Sequence, residues 1–128
     1  MNYHFSKHVD LPFDEAIEAV TKSLAERGFG VLTRIDVKAT LEKKLDVEFR
    51  PYTILGACNP DFAYQALQHE DKIGTMLPCN VIVQQRDDGI VEVSAVDPVA
   101  SMQSVDNPEL GSIATNVRGL LQETIEAL

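Results

Sequence analysis

Tryptophan is missing from this chain of 128 residues, and aromatic residues supply only 6% of it. Any core must therefore be built mainly from Val, Ile, Leu and Ala. Long apolar runs are missing too: none approaches the roughly 20 residues that a bilayer-spanning helix requires. The opening stretch, MNYHFSKHVDLPFDEA, has no apolar centre of the kind a secretion signal carries, and charge enters it early. We read a cytoplasmic protein without a membrane partner, whose two cysteines are reduced thiols and not a disulfide. Positive charge is sparse: 11 Lys and Arg stand against 20 Asp and Glu, a formal net charge of −9. The basic pair Lys43-Lys44 is flanked by Glu42 and Asp46. Nucleic acid needs clustered cations, so it is excluded as a partner. Catalytic strings are missing as well. There is no Ser-His-Asp pattern, no glycine-rich phosphate loop and no HExxH, and the reading leans away from an enzyme.

What is present is an ordinary globular composition, 45% hydrophobic and 24% charged, enough for one domain over residues 1–128. Tyr3, Phe5 and Lys7 alternate with His4, Ser6 and His8, the pattern of a short strand with one apolar side. Two histidines sharing the other side are too few donors for a metal site and read as solvent-facing. Phe13, Ala16, Ile17, Val20 and Leu24 form one stripe of an amphipathic helix that Pro12 opens and Gly28 stops. A strand follows over 30–35. Asp36 caps a second helix in which Val37, Leu41 and Leu45 recur, its other faces charged. The next strand starts at Val47 or Phe49 and runs past Pro51 to Ala57. Asn59 caps a third helix, with Pro60 at its first position and Phe62, Ala63, Ala66 and Leu67 as its buried stripe. Residues 71–78 read as irregular.

Cys79–Gln85 and Ile90–Val96 then form a hairpin around Asp87-Asp88-Gly89. Directly opposed residues share a face of a sheet. A two-residue loop would set Val83 against Ser94. A three-residue loop sets Val83 against Val93, Val81 against Ala95 and Gln84 against Glu92, which keeps the apolar residues together. The second register is expected, with Gly89 left-handed. Beyond Asp97-Pro98 the chain is irregular to Asp106, anchored by Met102 and Val105. Asn107 caps the last helix and Pro108 opens it. Leu110, Ile113, Ala114, Val117, Leu120, Leu121, Ile125 and Leu128 line one of its faces. Gly111 and Gly119 each cost about 1 kcal/mol against Ala in a helix interior; close packing on the sheet would account for them. The order β-α-β-α-β-α-β-β-α points to an α+β fold, a mainly antiparallel sheet with helices packed on one face.

Three strings, GACNP at 56–60, IGTMLPCNVIV at 73–83 and VDPVASM at 96–102, together with Gly28-Phe29-Gly30, resemble the uncharacterised family named domain of unknown function 302. The likeness covers nearly the whole chain; LPCN is its most specific string, and Met76 departs from a more usual leucine. It implies a fold related in outline to the TATA-binding-protein half-domain, and homodimers. It implies no activity, and fold likeness does not carry DNA binding with it.

The resemblance also implies that the strand ending at Ala57 runs antiparallel to the Cys79 strand. Cys58 then arrives at the same end of the sheet as Cys79, and extending the hairpin register sets Cys79 against Asp97. Cys58, Asn59, Cys79, Asn80, Asp97 and Met102 become a candidate rim at the N-terminus of the third helix, where amide dipoles lower a thiol pKa and attract anions. Two thiolates with Met102 or a histidine would suit Zn or Cu(I). The same pair could cycle between dithiol and disulfide, or one thiol could act as a nucleophile beside a base. A homodimeric module binding a small ligand or a partner protein needs none of this chemistry. In a purely structural reading the cysteines are small buried hydrophobes. Tyr52, Ile54 and Ile82 would find cover in a dimer if the uncovered face carries them.

Overall fold

A computed structural model describes residues 2–128. The expected α+β order is found, with one short helix added. Strand β1 (His4–Val9) leads to α1 (Phe13–Glu26), β2 (Gly30–Asp36), α2 (Val37–Leu45) and β3 (Tyr52–Cys58). Then come α3 (Pro60–His69), a 3-10 turn over Ile73–Met76, β4 (Cys79–Gln85), β5 (Val91–Val96), α4 (Pro98–Ser101) and α5 (Leu110–Glu126). The five strands form one sheet in the order β1-β5-β4-β3-β2, and every neighbouring pair is antiparallel. No helix among the described residues is long and apolar enough to cross a membrane.

The hairpin adopts the three-residue register. Val83 pairs with Val93, Val81 with Ala95 and Gln84 with Glu92, and Gly89 is left-handed at φ 86°. Because side chains alternate along a strand, this register assigns each face. The helix side receives Leu55, Ala57, Cys79, Val81, Val83, Val93 and Ala95, all buried against α1 and α5. Each fully buried Val or Leu stabilises by roughly 1.5–3 kcal/mol, so this layer holds the sheet to the helices. Ala16, Ile17, Val20 and Leu24 of α1 meet it, as do Ile113, Val117, Leu121 and Ile125 of α5. Across the other face runs the row Ile35↔Ile54↔Ile82↔Ser94↔Ser6. A parallel row sets Tyr52 against Gln84, Gln84 against Glu92 and Glu92 against His8. Tyr52, Ile54 and Ile82 thus lie on the face opposite the helices.

Several local expectations are corrected. Strand β3 begins at Tyr52 and not at Val47 or Phe49. Pro51 has no N–H to give, and its carbonyl accepts from Gln85 N at 2.9 Å as the last contact of that end. In α3 only Ala66 is fully buried and Leu67 is 44% exposed, so the stripe is narrower than four residues. Helix α5 starts at Leu110; Asn107 and Pro108 belong to a tight turn, with Leu110 N donating to Asn107 O and Gly111 N to Pro108 O. Residues 98–101, read as irregular, are helical because the Asp97 side chain accepts from Val99 N at 3.0 Å. Nothing stands within 4 Å of a side chain built at Gly111 or Gly119, so close packing does not account for either glycine.

Gly56 is different. A Cβ there would lie 2.7 Å from Pro78 Cγ and closer still to Thr33 Oγ1. Gly56→Ala is expected to lower stability by about 1–3 kcal/mol through this overpacking. Gly119→Ala, in open space on a helix, is expected to raise it by about 1 kcal/mol. Urea unfolding followed by circular dichroism measures both.

Candidate functional site

The end of the sheet where β3 leaves and β4 enters is set by one pairing, Ala57↔Cys79. Cys58 is therefore a diagonal neighbour of Cys79, one step along the adjacent strand. Its Cα partner on the far side is Gly30. At Asn59 the chain turns into α3, whose cap is the Asn59 side chain accepting from Phe62 N at 3.4 Å. Gly28, left-handed at φ 86°, backs onto this cap; a Cβ there would stand 3.0 Å from Asn59 Nδ2. The Gly28-Phe29-Gly30 run thus lets the chain pass close behind the Cys58-Asn59 corner.

Cys58, Asn59, Cys79 and Met102 border one cleft, closed by Phe62, Leu77, Ile113 and Val117 from the surrounding elements. Its volume is about 30 Å³ and its lining is almost wholly apolar. That holds a water or two, or a monatomic ion. It is far below the roughly 300–1,000 Å³ of pockets that take drug-sized molecules.

The rim is smaller than the sequence implied. Asn80 alternates with Cys79 and is exposed, on the face opposite the cleft. Asp97 lies past the last β4–β5 pair, Val81↔Ala95, and is not among the residues that line the cleft. It is buried, caps α4 and accepts from Arg118 Nε at 3.1 Å, while its amide donates to Tyr3 O at 2.7 Å. Its carboxylate ties α4 to α5 while its amide holds the residue before β1, and these polar contacts explain its burial without a ligand. Arg118, which holds it and lies 5.4 Å over the Phe5 ring, carried no signal in sequence beyond being the one cation of a long helix.

No histidine joins the sulfurs. His4 Nδ1 is 2.7 Å from Ser6 Oγ, His8 Nε2 is 3.1 Å from Glu92, and His69 Nδ1 is 2.6 Å from Glu109. Among the described residues no three His, Cys, Asp or Glu side chains converge as a metal cluster. A metal in the cleft would have only Cys58, Cys79 and the Met102 thioether. Zinc, which structural sites hold with four N, S or O ligands, fits this set poorly; a soft monovalent ion fits it better.

The expected low-pKa thiolate is not found at Cys79. Burial, with a smaller contribution from the neighbouring Cys58 charge, pushes its thiol up from 9.0 to about 11. The folded protein therefore holds this proton more tightly than the unfolded chain does. Stability owed to the neutral thiol is complete below pH 9 and declines as pH rises toward 11. The decline is expected to be on the order of 2–3 kcal/mol, because each tenfold difference in proton affinity between the folded and unfolded chains is worth about 1.4 kcal/mol. Urea midpoints across this range should fall for the wild type and fall less steeply for Cys79→Ala.

The family described as Domain of unknown function DUF302 matches residues 5–128. The crystal structure of an uncharacterized conserved protein DUF302 from Bacillus stearothermophilus is similar to this chain at a TM-score of 0.91 and 29% identity, covering 98% of each chain. None of the curated proteins matches it. A family match over residues 5–128 and a near-complete structural likeness agree: the chain belongs to the family Domain of unknown function DUF302.

Proposed function

We propose that the protein is a non-enzymatic homodimeric binding module. The observation that carries this is the face of the sheet turned away from α1 and α5. There Ile35, Ile54 and Ile82 stand in one row, and the row runs out to β2, six of whose seven residues are exposed. Leu32 at 67% and Ile35 at 47% exposure add apolar surface at that border. Contiguous apolar surface on a folded domain marks an association site. A second copy is the partner that every molecule in solution meets. Sedimentation equilibrium at micromolar concentration should give twice the 14.1 kDa chain mass, and Ile35→Glu should return it toward the monomer. A monomeric wild type at tens of micromolar would overturn the reading.

A second reading concerns the cleft, favoured by the convergence of Cys58, Cys79 and Met102 on a space of about 30 Å³. Its size and soft donors suit Cu(I) and not an organic ligand. Binding would displace the tightly held Cys79 proton, so affinity should rise with pH. Competition for Cu(I) against a colorimetric chelator should show one site per chain, weakened at least tenfold in both Cys58→Ser and Met102→Leu. Equal competition by wild type and both variants would exclude it. The cycling of Cys58 and Cys79 between dithiol and disulfide, and nucleophilic catalysis by either, gain less support. The buried, protonated Cys79 is a poor nucleophile, and no histidine stands beside either sulfur.

A further inference from the structure

The homodimer reading leaves open how two copies meet. We infer that they join edge to edge through β2, antiparallel about a twofold axis passing through Ile35. The inference rests on that reading and selects one geometry from it.

Strand β2 is an outer strand of the sheet, and its exposed side offers unpaired backbone groups. It contains no Pro and no Lys, its one irregularity lies between Val31 and Thr33, and residues 33–36 are regular up to Val37, where α2 begins. On this stretch Arg34 pairs with Leu55 and Asp36 with Thr53, both buried on the helix side, whereas Ile35 pairs with Ile54 on the other face. Arg34 makes no ion pair among the described residues. Asp36 caps α2 through Oδ1, leaving its other oxygen for a second donor.

Opposed residues of an antiparallel pair must share a face, which removes every register centred between two residues of this stretch. Of the registers centred on a residue, Arg34 would meet its own copy and repel it, as would Asp36. Centring on Thr33 would run Leu32 and the irregularity into the partner strand. Centring on Ile35 sets Arg34 against Asp36 of the other copy twice over, with opposite charges on the same face. It also places Ile35 against itself. The isoleucine row then continues across the axis, from Ile82, Ile54 and Ile35 of one copy into the same three residues of its partner. The resulting ten-stranded sheet joins both open faces into one apolar strip.

Two measurements test this. Paired residues of antiparallel strands have Cα atoms roughly 4.5–5.5 Å apart, within reach of a disulfide. In a Cys58→Ser background, Ile35→Cys should form a covalent dimer on non-reducing gels after mild oxidation, and Leu32→Cys should not. Arg34→Glu should raise the dimer dissociation constant at least tenfold, while Lys22→Glu on α1, an equal change of charge, leaves it in place. A dimer indifferent to Arg34→Glu, or one that crosslinks as readily at position 32 as at 35, overturns the edge pairing and leaves the homodimer standing. A monomeric wild type removes both.

Discussion

Everything in this fold follows from which way the side chains of one hairpin face. Pairing Val83 with Val93 sends Val81, Val83, Val93 and Ala95 beneath the helices. A slip by one residue would turn one strand over, burying either Ile82 and Gln84 or Glu92 and Ser94 in place of its apolar residues. The polar groups so buried would find no partner under α1 and α5, at a cost of several kcal/mol each. The register is thus held by the difference between two faces and not by the turn alone, although left-handed Gly89 admits the loop length it needs. The neighbouring strands inherit it. Through Ala57↔Cys79 it fixes the depth of Cys79, and through Ile54↔Ile82 it aligns the open-face row.

That inheritance explains why the sulfur-bearing corner looks as it does. Cys79 continues the apolar column of Val81 and Val83, so it is buried for the same reason they are. Its raised pKa is the electrostatic consequence of that position. Asp97, one residue beyond the end of β5, solves a different problem. It is a buried acid whose oxygens are taken by Val99 N and Arg118 Nε, and it fastens the edge of the sheet to α4 and α5. The cleft that Cys79 borders holds two sulfur-bearing cysteines, a thioether and the Asn59 amide among hydrocarbon, and little else that is polar.

Much of the fold was legible because its signals are periodic or stereochemical. Gly28 and Gly89 announce left-handed turns, Asp36 and Asn59 announce caps, and α5 writes its buried face over 17 residues. The misses have physical causes. Helix α4 spans four residues, barely more than one turn, and leaves no period to read. Leu67 fits the stripe of α3 by spacing, yet α3 rests on α5 along too narrow a contact to cover it. Cys58, Cys79 and Met102 do border one cleft, and their meeting was legible through the antiparallel β3–β4 pairing that the family resemblance implies. Asn80 alternates with Cys79, so strand parity alone sends it to the other face. The roles proposed for Ile35 and Arg34 depend on β2 being an outer strand, which nothing in the sequence announces.

The two borders of the sheet are unlike, and this bears on how far assembly can go. Strand β1 leans on α5, with Lys7 Nζ donating to the carbonyls of Glu126 and Leu128, whereas β2 is bare. The proposed reciprocal union would use the bare border of both molecules at once. What would remain outermost on each side is β1 with its Lys7, so growth would halt at a closed pair instead of running on into a fibre.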